Sequence, residues 1–203
     1  MEEQHPPAAD TARLVLASGS PYRRALLERL GLPFEQDPPS LDEQIGADEA
    51  PAHAVMRLAR AKAASVFLRH PDAIVIGSDQ LAVRGDEILG KPRDAARAAE
   101  QLTRSAGRDV EFLTGVCILG PARPDEAEEH MDITRVRFRP LTTEEIRSYV
   151  ALDKPFDCAG SFRAEGRGIA LFDRIDSQDP TGLIGLPLIW LSQALRRLGL
   201  PVF

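Results

Sequence analysis

The chain has 203 residues, of which 43% are hydrophobic and 28% are charged, and its formal net charge is −6. This composition is typical of a globular protein, and the negative charge excludes the overall basic field that nucleic-acid and anionic-membrane binders use. Any anionic ligand must therefore be held by local cations. The first residues are acidic and contain prolines, and no run is long enough to cross a bilayer. We expect a cytoplasmic protein with a disordered tail over residues 1–12.

Taken in order, the first half of the chain predicts a short buried strand over 13–17 and a helix that begins at Pro21. Ser20 is a good N-cap, and Gly31 is a natural stop for that helix. A long loop with four prolines and many acids follows over 33–51, and loops of that length are often functional. One helical stripe of apolar residues then predicts a helix over 52–68.

The second half predicts further alternation of strands and helices, which favours an α/β fold. The predicted elements are a strand over 73–76, a hairpin with its turn at 84–86, a helix from the cap Asp94 to about Ala106, strands over 109–119 and 128–140, a helix opened by the capping box Thr142–Glu145, a Gly-rich segment that becomes a strand over 157–175, and a helix within 179–199. The apolar positions change parity between Ile133 and Val136, which predicts a β-bulge near Thr134.

Two cations stand where a helix usually carries acids. Arg23 and Arg24 lie in the first turn of the predicted helix, beside its unpaired N–H groups and the positive end of its dipole. A bound phosphate would compensate for that placement. The alternative is a solvated surface pair.

Further charged residues stand at special places in the chain. Asp79 follows the buried strand, where the ligands of α/β folds gather, so it can bind a metal or accept a proton from water; a turn aspartate is the alternative. Lys91 lies on a rigid Gly-Lys-Pro corner and can serve phosphate as a fixed charge, or be an ordinary surface lysine. Lys62 lies on a helix, where lysines are usually solvated, and Glu43 lies in the acidic loop.

Together these residues provide cations for a triphosphate and carboxylates for a metal and a base. The sequence has no P-loop motif, and no Cys/His or Ser/His arrangement favours a covalent nucleophile. The two cysteines, Cys117 and Cys158, match no zinc or redox spacing and predict reduced, mostly buried thiols.

Five segments closely resemble the Maf family of nucleoside triphosphate pyrophosphatases. These segments are "LASGSPYRRALLERLG", "VIGSDQLAV", "ILGKP", "FLTGVCIL" and "CAGSFRAEGRGIALFDRIDSQDPTGLIGLPLIWL". They occur in order between Leu14 and Gly199. The resemblance implies a single catalytic domain over 13–203, with an elongated mixed sheet flanked by helices and two lobes around a central cleft.

The resemblance also implies roles for individual residues. Asp79 matches the proton acceptor, and Glu43 and Asp79 match positions for a divalent cation, Mg²⁺ or Mn²⁺. Five residues match phosphate-handling positions: Ser18, Arg23, Arg24, Lys62 and Lys91. Tyr22, Gln80 and Glu165 match positions that set base specificity.

Gln80 and Glu165 are similar to the branch of the family that hydrolyses 7-methyl-GTP. An aromatic face suits a cationic methylated ring, and a carboxylate suits the N1–H and amino donors of guanine. Relatives often carry Trp where this chain has Tyr22, which predicts softer selectivity. A dTTP/UTP pyrophosphatase and a nucleotide-binding regulator of cell division are the alternatives. We expect a nucleoside triphosphate as the partner, no nucleic acid and no membrane, and leave a homodimer open.

Overall fold

The computed structural model describes residues 12–203, so the predicted tail lies outside the described residues except for Ala12. The strands are β1 (Leu14–Ala17), β2 (Glu35–Gln36), β3 (Ile74–Arg84), β4 (Glu87–Leu89), β5 (Asp109–Gly120), β6 (Arg123–Phe138) and β7 (Phe172–Asp176). The helices are α1 (Pro21–Glu28), α2 (Pro51–Phe67), α3 (Ala95–Ser105), α4 (Thr143–Asp153) and α5 (Leu188–Arg197). Short 3-10 turns cover Ala159–Ser161, Arg167–Leu171 and Gly182–Ile184.

All of these strands join one mixed sheet. Its spatial order is β2–β1–β3–β5–β6–β7, and β4 pairs with the end of β3. β1 runs parallel to β2 and β3, whereas the other pairs are antiparallel. The mixed sheet with its flanking helices confirms the predicted α/β class. None of the described helices is both long enough and apolar enough to cross a membrane.

The sheet is covered on both faces at the end that holds β1. Helix α2 packs on one face, where it comes so close that a methyl group on Gly77 would lie 2.3 Å from the carbonyl oxygen of Ala59. Helices α1 and α5 bury the other face through leucines such as Leu27 and Leu191 against Leu16 and Ile76. Glycine at position 77 therefore permits the contact that fixes α2 over β3.

A second hydrophobic core covers the far end of the sheet. It packs α3 and α4 against the ends of β3, β5 and β6, with the rings of Phe112, Phe138, Phe162 and Phe172 in edge-to-face contact. The two cores therefore lie at opposite ends of the sheet. This is the arrangement expected of two lobes around a central cleft.

The predicted helix starts are confirmed by their capping contacts. The Ser20 hydroxyl accepts from the Arg23 N–H, and Asp94 accepts from the Arg97 N–H at 2.8 Å. Thr142 and Glu145 form the predicted capping box in both directions. The predicted hairpin is also present, since Arg84 pairs with Glu87 across the turn.

Two sequence predictions are wrong. The pairing of β5 with β6 runs unbroken through Thr134, so there is no bulge there; the register shifts lie near Ile118 and Arg137. The parity change arises because Val136 faces the second core, whereas Ile133 faces the opposite side and is half exposed. Asp79 does not follow the end of its strand, because β3 continues to Arg84.

Candidate active site

A cleft opens where β3 lacks a neighbour on one side. β1 ends at Ala17, opposite Gly77, and β4 begins its pairing only at Ala82. Residues 79–81 of β3 therefore line a cleft of about 900 Å³ between the two cores. Because β1 ends at Ala17, Asp79 lies just beyond the carboxyl end of a parallel strand. Its own strand, β3, continues past it to Arg84.

Asp79 and Lys62 form a buried ion pair on the α2 side of the cleft. The Lys62 Nζ donates to Asp79 Oδ1 at 2.6 Å and lies 3.0 Å from Glu43 Oε2. The Lys62 side chain is only 6% exposed, unlike most helical lysines, whereas that of Glu43 is 55% exposed. The loop that carries Glu43 therefore brings a second carboxylate to the same ammonium group.

The first turn of α1 forms the neighbouring wall. The Arg23 Nε donates to the Gly185 carbonyl at 3.0 Å, and its Nη1 lies 3.5 Å from the Ser18 hydroxyl. Burial lowers the pKa of Arg23, and the charges of Asp79 and Glu43 oppose that shift. The Arg23 guanidinium is thus fixed beside the two carboxylates, as a group that grips an anion must be.

Arg24 is placed differently from its neighbour. Its side chain is 56% exposed and pairs with Glu28 at 2.9 Å, and it also reaches Gln36 at 3.4 Å. Arg24 is not among the residues that line the cleft. Its predicted contact with phosphate is therefore not supported by its position, whereas Ser18, Arg23, Lys62 and Lys91 all line the cleft.

The opposite wall carries more cations than the sequence interpretation singled out. Lys91 lies there with Arg93 and Arg97, and all three are exposed at the cleft rim. Arg93 directly follows the Gly-Lys-Pro corner and has a positive φ of 67°. The sequence alone could have pointed to Arg97, because a helix capped by Asp94 places residue 97 in its first turn.

Gln80 is held by the turn that crosses the sheet. Its Nε2 donates to the carbonyls of Gly182 and Leu183, both at 3.0 Å, and lies 2.9 Å from the Thr114 hydroxyl. Because backbone carbonyls only accept hydrogen bonds, these contacts fix the orientation of the amide. Gln80 can therefore offer only its Oε1, an acceptor, to a ligand.

The end of the cleft beyond Gln80 contains an aromatic ring and two carboxylates. The Tyr22 hydroxyl donates to Asp157 Oδ2 at 3.2 Å, and burial raises the pKa of Tyr22. Glu165 is exposed at the same end, and Arg163 lines it. Asp157 and Arg163 were missed because nothing in their local sequence distinguishes them from ordinary loop residues.

Both cysteines are free, as predicted. Cys117 is buried, and burial raises the pKa of its thiol to about 12. Cys158 is half-buried at the cleft, where burial raises its pKa to about 11. Neither thiol is activated as a nucleophile, which requires a lowered pKa.

Among the residues that the structure describes, no group of three or more His, Cys, Asp or Glu side chains is placed to hold a metal ion. Glu43 and Asp79 do converge on Lys62. Magnesium sites commonly use one or two carboxylates together with the phosphates of a substrate. In this structure the cation that contacts both carboxylates is the Lys62 ammonium.

The chain resembles several known proteins over nearly its full length. A family model described as Maf-like protein matches residues 13–198. The chain is 52% identical to a 7-methyl-GTP pyrophosphatase of Alkalilimnicola ehrlichii, with 96% of this chain and 97% of that protein covered. It is 47% identical to a protein of the same name from Nitrosococcus oceani, with 97% and 98% covered.

A solved HAM1 protein from Coxiella burnetii matches in fold alone, with a TM-score of 0.50 and 14% identity over 92% of this chain and 100% of that one. The family model and the close relatives show more than a shared fold. Together with the cleft, they confirm the resemblance that the sequence motifs indicated. This chain belongs to the Maf-like protein family.

Proposed function

We propose that this protein hydrolyses 7-methyl-GTP to 7-methyl-GMP and pyrophosphate, and so keeps a modified nucleotide out of nucleic acids. The proposal rests on two groups of side chains that line one cleft. The first group is the buried Asp79–Lys62 pair with Arg23. The second, beyond it, is Tyr22, Gln80 and Glu165. The first group suits a polyphosphate, and the second suits a purine ring. The names of the relatives agree with this proposal.

The phosphate end supports cleavage of the α–β anhydride bond. Water attacks the α-phosphorus, its proton passes to the Asp79 carboxylate, and pyrophosphate leaves with the electrons of the broken bond. Arg23 and Lys62 hold the negative charge that grows on the leaving group, and the rim cations extend that field. Catalysis of this type depends mainly on positioning and charge stabilisation.

A divalent cation belongs to this proposal, with Glu43 and Asp79 as its protein ligands. When bound, it would neutralise negative charge on the phosphates of the substrate. Lys62, which contacts both carboxylates, is a further cation for the phosphate chain.

The base end supports a methylated guanine. Gln80 Oε1 and Glu165 are both acceptors, and guanine presents donors at N1–H and its amino group. Methylation at N7 makes the ring cationic, which the face of Tyr22 and the nearby Asp157 carboxylate favour. A thymine or uracil edge offers one ring N–H between two carbonyl oxygens, so it would leave one acceptor unpaired.

A panel of nucleotides tests the proposal. Pyrophosphate release is measured for 7-methyl-GTP, GTP, dTTP and UTP at fixed Mg²⁺ and at fixed Mn²⁺, with Asp79→Asn as the inactive control. We expect 7-methyl-GTP to exceed GTP in kcat/KM by roughly tenfold, from a cation–π preference of about 1–2 kcal/mol. Hydrolysis of dTTP at an equal or faster rate would overturn the assignment of 7-methyl-GTP as the substrate. Binding of a nucleotide without turnover would favour a nucleotide-binding regulator instead.

A further inference from the structure

A row of three polar side chains crosses the sheet behind the base end of the cleft. Gln80 on β3 pairs with Thr114 on β5, and Thr114 pairs with Asp132 on β6. Directly paired residues of adjacent strands point to the same face of a sheet. Asp132 therefore lies on the same face as Gln80, two strands away, and it is 4% exposed.

The turn Gly182–Ile184 lies across this row. The Gly182 carbonyl accepts from Gln80 Nε2 at 3.0 Å and from the Thr114 hydroxyl at 2.9 Å. Just after the turn, the Gly185 carbonyl accepts from Arg23 Nε at 3.0 Å and from the buried Ser78 hydroxyl at 2.9 Å. The position of this turn therefore sets the positions of two cleft side chains, one at each end of the proposed substrate.

Asp132 limits how closely the turn approaches the sheet. A methyl carbon added to Gly182 would lie 2.0 Å from Asp132 Oδ2 and 2.6 Å from its Cγ. The third nearest atom, at 3.3 Å, is the Asp132 Cβ. Asp132 Oδ2 also accepts from the Thr134 hydroxyl at 3.1 Å, which holds the carboxylate in place.

The other side of the turn is equally constrained. Asp179 Oδ1 accepts from the N–H and the hydroxyl of Thr181, and its Oδ2 accepts from the Ile189 N–H at 2.6 Å. The turn is thus tied to the start of α5 at one end and rests on Asp132 at the other. A displacement of Gly182 would move the carbonyl that accepts from Gln80.

We propose that Asp132 is a positioning residue for nucleotide recognition, which acts by contact with Gly182 to set the place of the Gln80 amide and, through the same turn, of Arg23. Asp132 is outside the cleft and touches no substrate. The proposal rests on the proposed function of Gln80 in reading the base.

Because the atoms nearest to a methyl group at Gly182 all belong to Asp132, the contact can be tested by compensation. Gly182→Ala introduces the clash, and Asp132→Ala in the same chain removes it. Gly182 does not have a positive φ, so alanine there causes no backbone strain of its own. Asp132→Asn keeps the shape of the side chain, and Asp173→Ala, on the exposed face of β7, is the matched control.

Calorimetry measures the dissociation constants of 7-methyl-GTP and of dTTP for each variant. All variants carry Asp79→Asn as the background, so that no turnover occurs. The melting temperature of each variant is measured as well. We expect Gly182→Ala to weaken 7-methyl-GTP binding by on the order of tenfold and to weaken dTTP binding less, since misplacement of a recognition group carries costs of that size or more. We expect the double variant to recover most of that loss, and Asp132→Asn and Asp173→Ala to bind as the background does.

A double variant that binds no better than Gly182→Ala would overturn the role of Asp132. So would a loss of melting temperature with an unchanged ratio of the two dissociation constants, which is the result of a merely structural contact. If the double variant recovers binding but dTTP binds more tightly than 7-methyl-GTP, Asp132 remains a positioning residue and only the proposed substrate is rejected. Absence of binding by any variant, the background included, would reject both.

Discussion

The Lys62 ammonium lies 2.6 Å from the Asp79 carboxylate, and both side chains are at least nine-tenths buried. A buried charge of either sign is costly without its partner, so each of these residues stabilises the other in its place. Asp79 lies within residues 78–81 of β3, which pair with β5 on one side and with neither β1 nor β4 on the other. An ionised acid beside open space is what a water-activating group requires.

Asp79→Asn should abolish most turnover and leave the fold intact. The amide oxygen can still accept from Lys62, and Lys62 keeps its contact with Glu43. Loss of a general base lowers the rate by on the order of 10²–10⁴-fold. Steady-state pyrophosphate release and the thermal melting curve measure the two effects, with the exposed Asp86→Asn as control. A variant that retains more than about a tenth of the rate would remove Asp79 from the role of base.

The two arginines of the first helical turn should differ sharply when each is changed to alanine. Arg23 lines the cleft and is held by Gly185, whereas Arg24 is solvated and pairs with Glu28. We expect Arg23→Ala to cost about 2–4 kcal/mol in transition-state stabilisation, the range for a preorganised charge, and Arg24→Ala less than about 1 kcal/mol. The measurement is kcat/KM on one nucleotide. Equal losses would return Arg24 to the phosphate site that its sequence position suggested.

Local signals in the sequence were sufficient for most of the helices and strands. The caps Ser20, Asp94 and Thr142 each use a side chain to satisfy an N–H group three residues further on, so their chemistry can be read without any knowledge of the fold. The same holds for the turn between β3 and β4. These predictions are confirmed because the interactions that decide them span only a few residues.

Other features of the site depend on contacts between distant parts of the chain. Adjacent residues on a helix point about 100° apart, and it is the packing of α1 in the fold that places Arg23 rather than Arg24 in the lining of the cleft. The grip on Gln80 comes from residues about a hundred positions away, and the burial of Lys62 depends on a strand and a loop outside α2. Residue types and spacing alone do not contain that information.

Tyr22→Trp should sharpen the preference for a methylated base. The larger indole face attracts a cationic ring more strongly than a phenol does, within the range of about 0.5–2 kcal/mol found for such contacts. We expect the ratio of kcat/KM for 7-methyl-GTP over GTP to rise a few-fold, roughly threefold to tenfold, with little change for GTP itself. Tyr22→Leu is the control, since it removes the ring and should lower the same ratio. An unchanged ratio in both variants would exclude the Tyr22 ring as the platform for the base.

The ion pair between Glu49 and Arg57 should make the loop that carries Glu43 sensitive to acid. The Arg57 guanidinium and the Gly46 N–H both hydrogen bond to Glu49 and lower its pKa to about 2 from 4.5, and Arg57 also donates to the Gln44 carbonyl. Because the folded-state pKa is below the unfolded one, this stabilisation is fully present above about pH 4.5 and is lost as the pH falls towards 2.

Glu49→Gln should therefore be less stable than the natural chain near neutral pH, and the difference in free energy of unfolding should shrink as the pH falls through that window. Urea unfolding at a series of pH values measures it, and hydrogen exchange of the Gly46 amide should accelerate in the variant at neutral pH. Since the two side chains act as one unit, adding Arg57→Gln to Glu49→Gln should cost little more than either change alone. A stability difference that stays constant down to pH 3 would contradict the lowered pKa, and additive losses would show that the two residues stabilise the loop independently.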